Sequence, residues 1–233
     1  MSLITALFVV TAALAGPADD LLAEVDEVSN RGDDAHLVVA VEAEDDKGRP
    51  ASRTLEIWQK GDSKRLIRFA EPARLEGISL LVPDGETVYL FLPTYGRARR
   101  VVGEARGNAF QGTNFAMEDL SRIRWADEYT PELVEPDRLR LTPREGAKTS
   151  SARVELVVGP ERLPRLVEHY DSDGVLVRRI TFDDVRLVGP RHLAHQVVVE
   201  DLEAGRTTRA TVTQAVFDSE LSDDLFTLVH LNR

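Results

Sequence analysis

Hydrophobic residues recur along the chain with two different periods. Leu21, Leu22, Val25 and Val28 have the spacing of one helix face, which predicts an amphipathic helix near the amino terminus. From His36 onward, apolar and β-branched residues alternate with polar ones. This second period predicts strands at 37–43, 52–60, 64–69, 78–82, 87–92 and 97–102.

The strand pattern is interrupted once, at residues 103–113, which contain three glycines. A short helical turn is predicted at 117–122, and alternation resumes at 123–129, 138–141, 152–158, 165–170, 175–182, 193–200 and 207–213. A long antiparallel sheet must curl. We therefore predict a mainly β (α+β) fold, an incomplete antiparallel β-barrel of about eleven or twelve strands, with an α-helical lid on its concave face.

The amino-terminal residues 1–15 have the features of an export signal. Leu3 to Leu14 is apolar and uncharged, and Ala13-Leu14-Ala15 supplies a small-x-small cleavage pattern. The alternative is a buried amino-terminal helix, since no Lys or Arg precedes the apolar run. We expect residues 16–233 to form a single domain. The chain has no cysteine, which excludes disulfides, thiolate metal sites and an acylated amino-terminal cysteine.

The chain is acidic, with a formal net charge of -11, but its basic residues are concentrated locally. Between Trp58 and Arg124 there are eleven Lys or Arg against eight Asp or Glu. Binding to nucleic acid requires a dense basic surface that neutralises phosphates. The overall charge therefore argues against a nucleic-acid partner.

The motifs of the common enzyme classes are absent from the sequence: there is no G-x-S-x-G elbow, P-loop or dinucleotide fingerprint. His192 and His195 are three residues apart, and on a strand such residues face opposite sides, so we do not expect them to bind one metal ion together. Asp171-Ser172-Asp173-Gly174 is explained by a hairpin turn, and the neighbouring carboxylates of Asp183 and Asp184 by a solvated edge. We expect neither an enzyme, nor a metal site, nor a cofactor.

The segment Val88 to Leu92 is apolar on both faces, whereas a half-solvated strand alternates. Either both faces are ordinary core, or one face lines a cavity for a hydrophobic ligand. On the second interpretation the candidate cavity residues are Trp58, Leu66, Leu80, Leu90, Leu92, Phe110, Phe115, Met117 and Trp125. Candidate head-group or rim residues are Arg68, Arg97, Arg99 and Arg100, because guanidinium groups suit phosphates and carboxylates. The alternative for these arginines is a charged, solvated face.

Several spaced motifs resemble one family. They are Trp58-x-Lys60-Gly61, Arg65-Leu66-Ile67-Arg68-Phe69, Pro72-x-x-x-x-Gly77, Tyr89-Leu90-x-Leu92-Pro93, Gly96-Arg97-x-Arg99-Arg100 and Phe110-x-Gly112-Thr113-x-Phe115-x-x-Glu118-Asp119-Leu120. Together they resemble the outer-membrane lipoprotein-sorting proteins related to LolA and LolB, in the broader group often associated with RND-type exporters. The resemblance implies an incomplete barrel with a helical lid, a periplasmic location, and lipid or lipoprotein acyl chains held in the cavity.

Two functional hypotheses follow from this resemblance. In the first, the protein is a periplasmic carrier that shields acyl chains of lipoproteins or other lipids and passes them between membrane partners. Those partners would be an inner-membrane exporter of the ABC or RND type and an outer-membrane acceptor, with transient membrane contact. In the second, the same fold serves as a periplasmic sensor or adaptor that regulates a lipid exporter or an envelope stress response.

Overall fold

A computed structural model describes residues 16–44 and 48–231. The predicted export signal, residues 1–15, lies outside them. The described chain has three α-helices, α1 (Pro17–Ser29), α2 (Met117–Ser121) and α3 (Leu228–Leu231). Its thirteen strands are β1 (Asp34–Glu44), β2 (Pro50–Lys60), β3 (Lys64–Glu71), β4 (Ser79–Val82), β5 (Val88–Leu92), β6 (Arg97–Val101), β7 (Tyr129–Glu135), β8 (Arg138–Pro143), β9 (Arg153–Val158), β10 (Pro164–Tyr170), β11 (Leu176–Val188), β12 (Arg191–Asp201) and β13 (Arg206–Phe217).

All thirteen strands form one antiparallel sheet in the order β6-β5-β4-β3-β2-β1-β13-β12-β11-β10-β9-β8-β7. Two meanders, β1–β6 and β7–β13, are joined through the pairing of β1 with β13. The sheet stays open, because β6 and β7 are its two edges and are not paired with each other. The predicted incomplete antiparallel barrel is confirmed, with slightly more strands than predicted. None of the helices within the described ranges is long and apolar enough to cross a membrane.

One predicted strand, 123–129, is wrong. The backbone N–H groups of Trp125 and Ala126 donate to the Asp26 carboxylate at 2.8 and 3.0 Å, which holds this stretch as a turn against α1. The strand begins instead at Tyr129 and contains Pro131. A proline interrupts the strand pattern in the sequence, but an edge strand tolerates it because one side of its backbone needs no sheet partner.

The concave face of the sheet carries the main hydrophobic core. Because side chains alternate along a strand, Val39 and Val41 of β1, Leu55 of β2 and Ile67 of β3 point to the same side. Residues 102–128, which connect the two edge strands, supply Phe110, Phe115, Met117 and Ile123 to this core. We call them the crossing segment. Together with the apolar face of α1 (Leu21, Leu22, Val25), this segment covers the concave face as predicted.

A second, smaller core lies on the convex face, beneath the carboxy-terminal segment 218–231. Phe226 and Leu231 pack against Leu66 and Leu81, and all four side chains are buried. The segment is anchored by Asp34, whose carboxylate accepts from the Ser219 N–H and Oγ and from the Leu221 N–H at 2.8 to 3.0 Å. Desolvation opposes ionisation of Asp34, but the hydrogen bonds from Leu221 and Ser219 outweigh it and lower the pKa of the carboxyl.

We expect Asp34→Ala to destabilise the protein by about 2–4 kcal/mol, because three donors lose a charged acceptor. The matched control is Asp33→Ala, which removes the exposed neighbouring carboxylate. Urea unfolding of both variants measures the difference. If the two variants unfold at the same urea concentration, the anchoring role of Asp34 is wrong.

Candidate functional site

The site is an apolar cavity of about 350 Å³ between the concave face and the crossing segment. Strands from both meanders form its wall, with Leu37, Val39 and Val41 of β1 at the centre. The other wall residues that come from strands and are apolar are Leu55, Ile57, Ile67, Pro164, Ile180, Phe182, Leu193, Ala194, Val197, Ala210 and Val212. Phe115 and Leu120 of the crossing segment also line the cavity. Its volume lies in the range of small-molecule sites, and the wall is suited to an apolar ligand.

One end of this cavity is polar. Arg65 and Gln59 lie opposite each other on β3 and β2, and both line the cavity. Arg65 donates through Nη1 to the carbonyl oxygens of Leu120 and Arg122 at 2.9 and 2.6 Å, and through Nε to Gln59 Oε1 at 3.1 Å. Burial, followed by the positive charge of Arg122, lowers the pKa of Arg65 to about 10. The guanidinium therefore remains charged at neutral pH while it joins the sheet to the crossing segment.

The crossing segment is also held by buried ionic contacts at α2. Glu118 is fully buried and accepts from the Ser150 N–H at 2.8 Å and from Ser150 Oγ at 2.7 Å. Arg178 Nη2 of β11 lies 3.4 Å from Glu118 Oε1 and 3.1 Å from Asp119 Oδ2. A buried carboxylate requires such partners. The contacts therefore attach α2 to the second meander.

Arg122, directly after α2, is enclosed by aromatic and acidic groups. Its Nε donates to Glu128 Oε2 at 2.9 Å, and its guanidinium carbon lies 4.4 Å from the Trp125 ring centroid and 5.4 Å from that of Tyr129. Burial disfavours the charge, but Tyr129, Glu128 and Asp119 outweigh it and raise the pKa of Arg122. Arg122 is therefore a permanent cation that stabilises the turn between α2 and β7.

Among the described residues, Glu118, Asp119 and His169 offer potential metal-ligand atoms that all lie within 4.8 Å of one another. Arg178 already contacts both carboxylates, and Arg122 Nη1 lies 3.5 Å from Asp119 Oδ1. These two guanidinium charges compensate the two carboxylates, so a divalent cation would add uncompensated positive charge. The cluster is better suited to anchoring α2 than to holding a metal ion.

The predicted cavity residues divide into two groups, and the first shares the concave core. Phe115 lines the cavity. Six others belong to the same core but lie outside the cavity lining, namely Leu80, Leu90, Leu92, Phe110, Met117 and Trp125. Leu80 and Leu90 pair with each other on β4 and β5, and Phe110 packs on Phe69 with a ring-centroid distance of 5.0 Å. Leu80, Leu90 and Leu92 extend the covered concave face toward the β6 edge.

The second group lies on the convex face. Trp58 pairs with Leu66, and Arg68 pairs with Glu56, so their side chains point away from the cavity. Trp58 stacks on His36 at a ring-centroid distance of 4.9 Å, and Leu66 is buried in the convex core. Trp58 and Leu66 were predicted to line the cavity and Arg68 to lie at its rim, but all three lie on the convex face. The carboxy-terminal segment packs on that face.

The remaining rim candidates, Arg97, Arg99 and Arg100, lie exposed on the edge strand β6. Their strand is separated from β3, the nearest strand of the cavity wall, by β4 and β5. Arg99 lies over the Tyr95 ring at 4.9 Å. The three arginines form a basic edge at some distance from the cavity.

Leu37, Val39, Ile57 and Phe182 line the cavity but were not among the predicted site residues. The alternating pattern correctly placed them in strands, but it did not distinguish a filled core from an open cavity. The ionic group around Glu118 was not predicted either. The available signal was a pair of adjacent carboxylates in a short apolar helix, since buried acids require cationic partners.

The fold defines a class of protein, the open antiparallel half-barrel, and several solved structures share that fold. A DUF1329 family protein from Desulfovibrio piger is 23% identical with a TM-score of 0.80, covering 91% of this chain and 96% of that one. A domain described as an outer membrane lipoprotein-sorting protein domain, from Vibrio parahaemolyticus, is 21% identical with a TM-score of 0.76, covering 91% and 97%. A LolA superfamily protein from Nitrosomonas europaea is 20% identical with a TM-score of 0.75, covering 91% and 98%.

At these identities the likeness shows the fold, and the predicted resemblance to LolA-type proteins is confirmed at that level. A family model described as an uncharacterized protein matches residues 61–233, and the chain belongs to that family. No curated protein matches the chain.

The buried His169 should make the free energy of unfolding depend on pH. Desolvation, and then the charges of Arg178 and Arg122, lower its pKa well below the ordinary value. The unfolded chain therefore takes up a proton near pH ~6.5 while the folded protein does not, so stability falls as the pH decreases below that value. We expect the loss to approach about 1.4 kcal/mol per pH unit.

The variant His169→Asn keeps a polar atom for Ser151, whose Oγ lies 2.8 Å from His169 Nδ1. It should show a flatter decline in the free energy of unfolding between neutral pH and about pH 5, whatever its absolute stability. His192→Asn, at an exposed position, is the control and should retain the wild-type slope. An unchanged slope in His169→Asn would refute the assignment.

Proposed function

We propose that this protein is a carrier that holds the acyl chain of a lipid or lipoprotein in its concave cavity. The observation that carries the proposal is the cavity of about 350 Å³, which has a mostly apolar wall and lies beneath a cover attached by polar contacts. Each methylene that leaves water for such a wall contributes about 0.8 kcal/mol. Binding requires no cofactor and no covalent step.

Polar contacts attach the cover to the sheet. The contacts of Glu118 with Ser150 and of Asp119 with Arg178, together with the Arg65 hydrogen bonds to Leu120 and Arg122, hold the crossing segment around the cavity. The center beneath it contains unfilled space. Opening would exchange these polar contacts for water with little net loss, but it would also expose core side chains of the crossing segment, Phe110, Phe115, Met117 and Ile123.

We place this carrier in the periplasm, with residues 1–15 removed on export and residues 16–233 acting as one domain. Similarity of fold to LolA-type proteins supports this location. The donor would be an inner-membrane exporter of the ABC or RND type, and the acceptor a component of the outer membrane. The exposed arginines of β6 offer a basic surface for transient contact with such partners or with anionic lipid.

Two neighbouring valines of β12 provide a matched test. Val197 pairs with Phe182 and Ala210 and lines the cavity, whereas Val198 pairs with Thr181 and Arg209 on the opposite face. Because a phenylalanine at 197 would occupy cavity volume, we expect Val197→Phe to weaken binding of a fluorescent fatty-acid probe about ten-fold or more. Val198→Phe should bind as the wild type does.

Equal binding by both variants would contradict a ligand in this cavity, and absence of probe binding to the wild type would contradict a carrier altogether. Transfer of the bound probe to acceptor vesicles provides the second readout. A carrier releases its ligand to the vesicles. Binding without transfer would instead support the sensor or adaptor hypothesis.

A further inference from the structure

The polar end of the cavity contains a cation without a counter-ion. Among residues 16–44 and 48–231, no carboxylate lies within 4.0 Å of the Arg65 guanidinium. Asp119 also lines the cavity, but its carboxylate is 3.1 Å from Arg178 Nη2 and 3.5 Å from Arg122 Nη1. The charge of Arg65 is therefore met only by neutral oxygens.

The hydrogen-bonding capacity of Arg65 is not exhausted either. A guanidinium has five N–H donors. Two from Nη1 reach the carbonyls of Leu120 and Arg122, and one each from Nε and Nη2 reaches Gln59 Oε1, with Nη2 at 2.5 Å. One Nη2 donor is left, and the partly exposed Arg65 side chain lines the cavity.

The wall is graded from this polar end to an apolar one. On β2 the residues that face the cavity run Gln59, Ile57, Leu55, and on β3 they run Arg65, Ile67. Four residues of strand span about 14 Å. A chain lying along β2 would therefore have one end at a cation and the rest against aliphatic side chains.

We propose that the ligand is a single-chain amphiphile with an anionic head group, a carboxylate or a phosphate, and that Arg65 binds that head group inside the cavity. This inference rests on the proposed carrier function and names its ligand class. A hydrogen bond between two charged groups is about twice as strong as a neutral one, and it would supply the missing counter-ion. The remaining Nη2 donor can bind an oxygen of either head group.

The test compares three probes with the same chain: laurate, lauryl phosphate and lauryl alcohol. We expect the wild-type protein to bind one or both anions about ten-fold or more tightly than the alcohol, as measured by calorimetry. Preference for laurate alone or for the phosphate alone identifies the head group. Arg65→Gln should bind all three probes with similar affinity.

The control is Arg68→Gln, which removes an arginine of the same strand that faces the opposite side. It should retain the preference for anions. Arg65→Lys keeps the charge and should retain part of the preference for anions. It provides the test of Arg65 if Arg65→Gln does not fold. If the wild type binds all three probes equally, the inference is overturned and the carrier proposal stands. If the wild type binds none, both are overturned.

Discussion

The structure depends on one constraint, the need to cover the wide concave face of an open sheet. Thirteen antiparallel strands satisfy one another's backbone hydrogen bonds but leave an apolar surface that spans both meanders. A closed barrel would cover that surface with its own wall. Here β6 and β7 remain apart, so the chain between them must cross the concave face.

The way in which this crossing is stabilised explains the cavity. Glu118 and Asp119 attach the cover to the second meander through Ser150 and Arg178, and Arg122 pairs with Glu128 within the cover. They fix the position of α2, and Phe115 and Leu120 line the cavity without filling it. The aliphatic residues of β1, β2 and β13 are therefore left facing open space, which an apolar ligand would fill. The convex face contrasts with this arrangement, because Phe226 and Leu231 fill it directly.

Much of this architecture could be predicted from the sequence, and the exceptions have physical reasons. Alternation identified most strands, and the three-glycine interruption marked the crossing segment. The strand at Tyr129 was missed because Pro131 is compatible with a strand only at an edge, and edge position is a property of the whole sheet. Trp58 and Leu66 were assigned to the cavity because a period of two shows that a strand has two faces without showing which is concave. The pairing of Glu118 with residues more than thirty positions away depends on the fold in the same way.

The most direct test of the central claim is to locate a bound chain by photochemical labelling. A fatty acid with a diazirine in its chain, irradiated on the protein and mapped by mass spectrometry of peptides, reports which face it occupies. We expect labelled residues in the cavity-lining parts of β1, β2 and β11, such as Val39, Ile57 and Phe182. Labelling confined to the convex face around Trp58 and Phe226, or no labelling above that of a denatured sample, would contradict it.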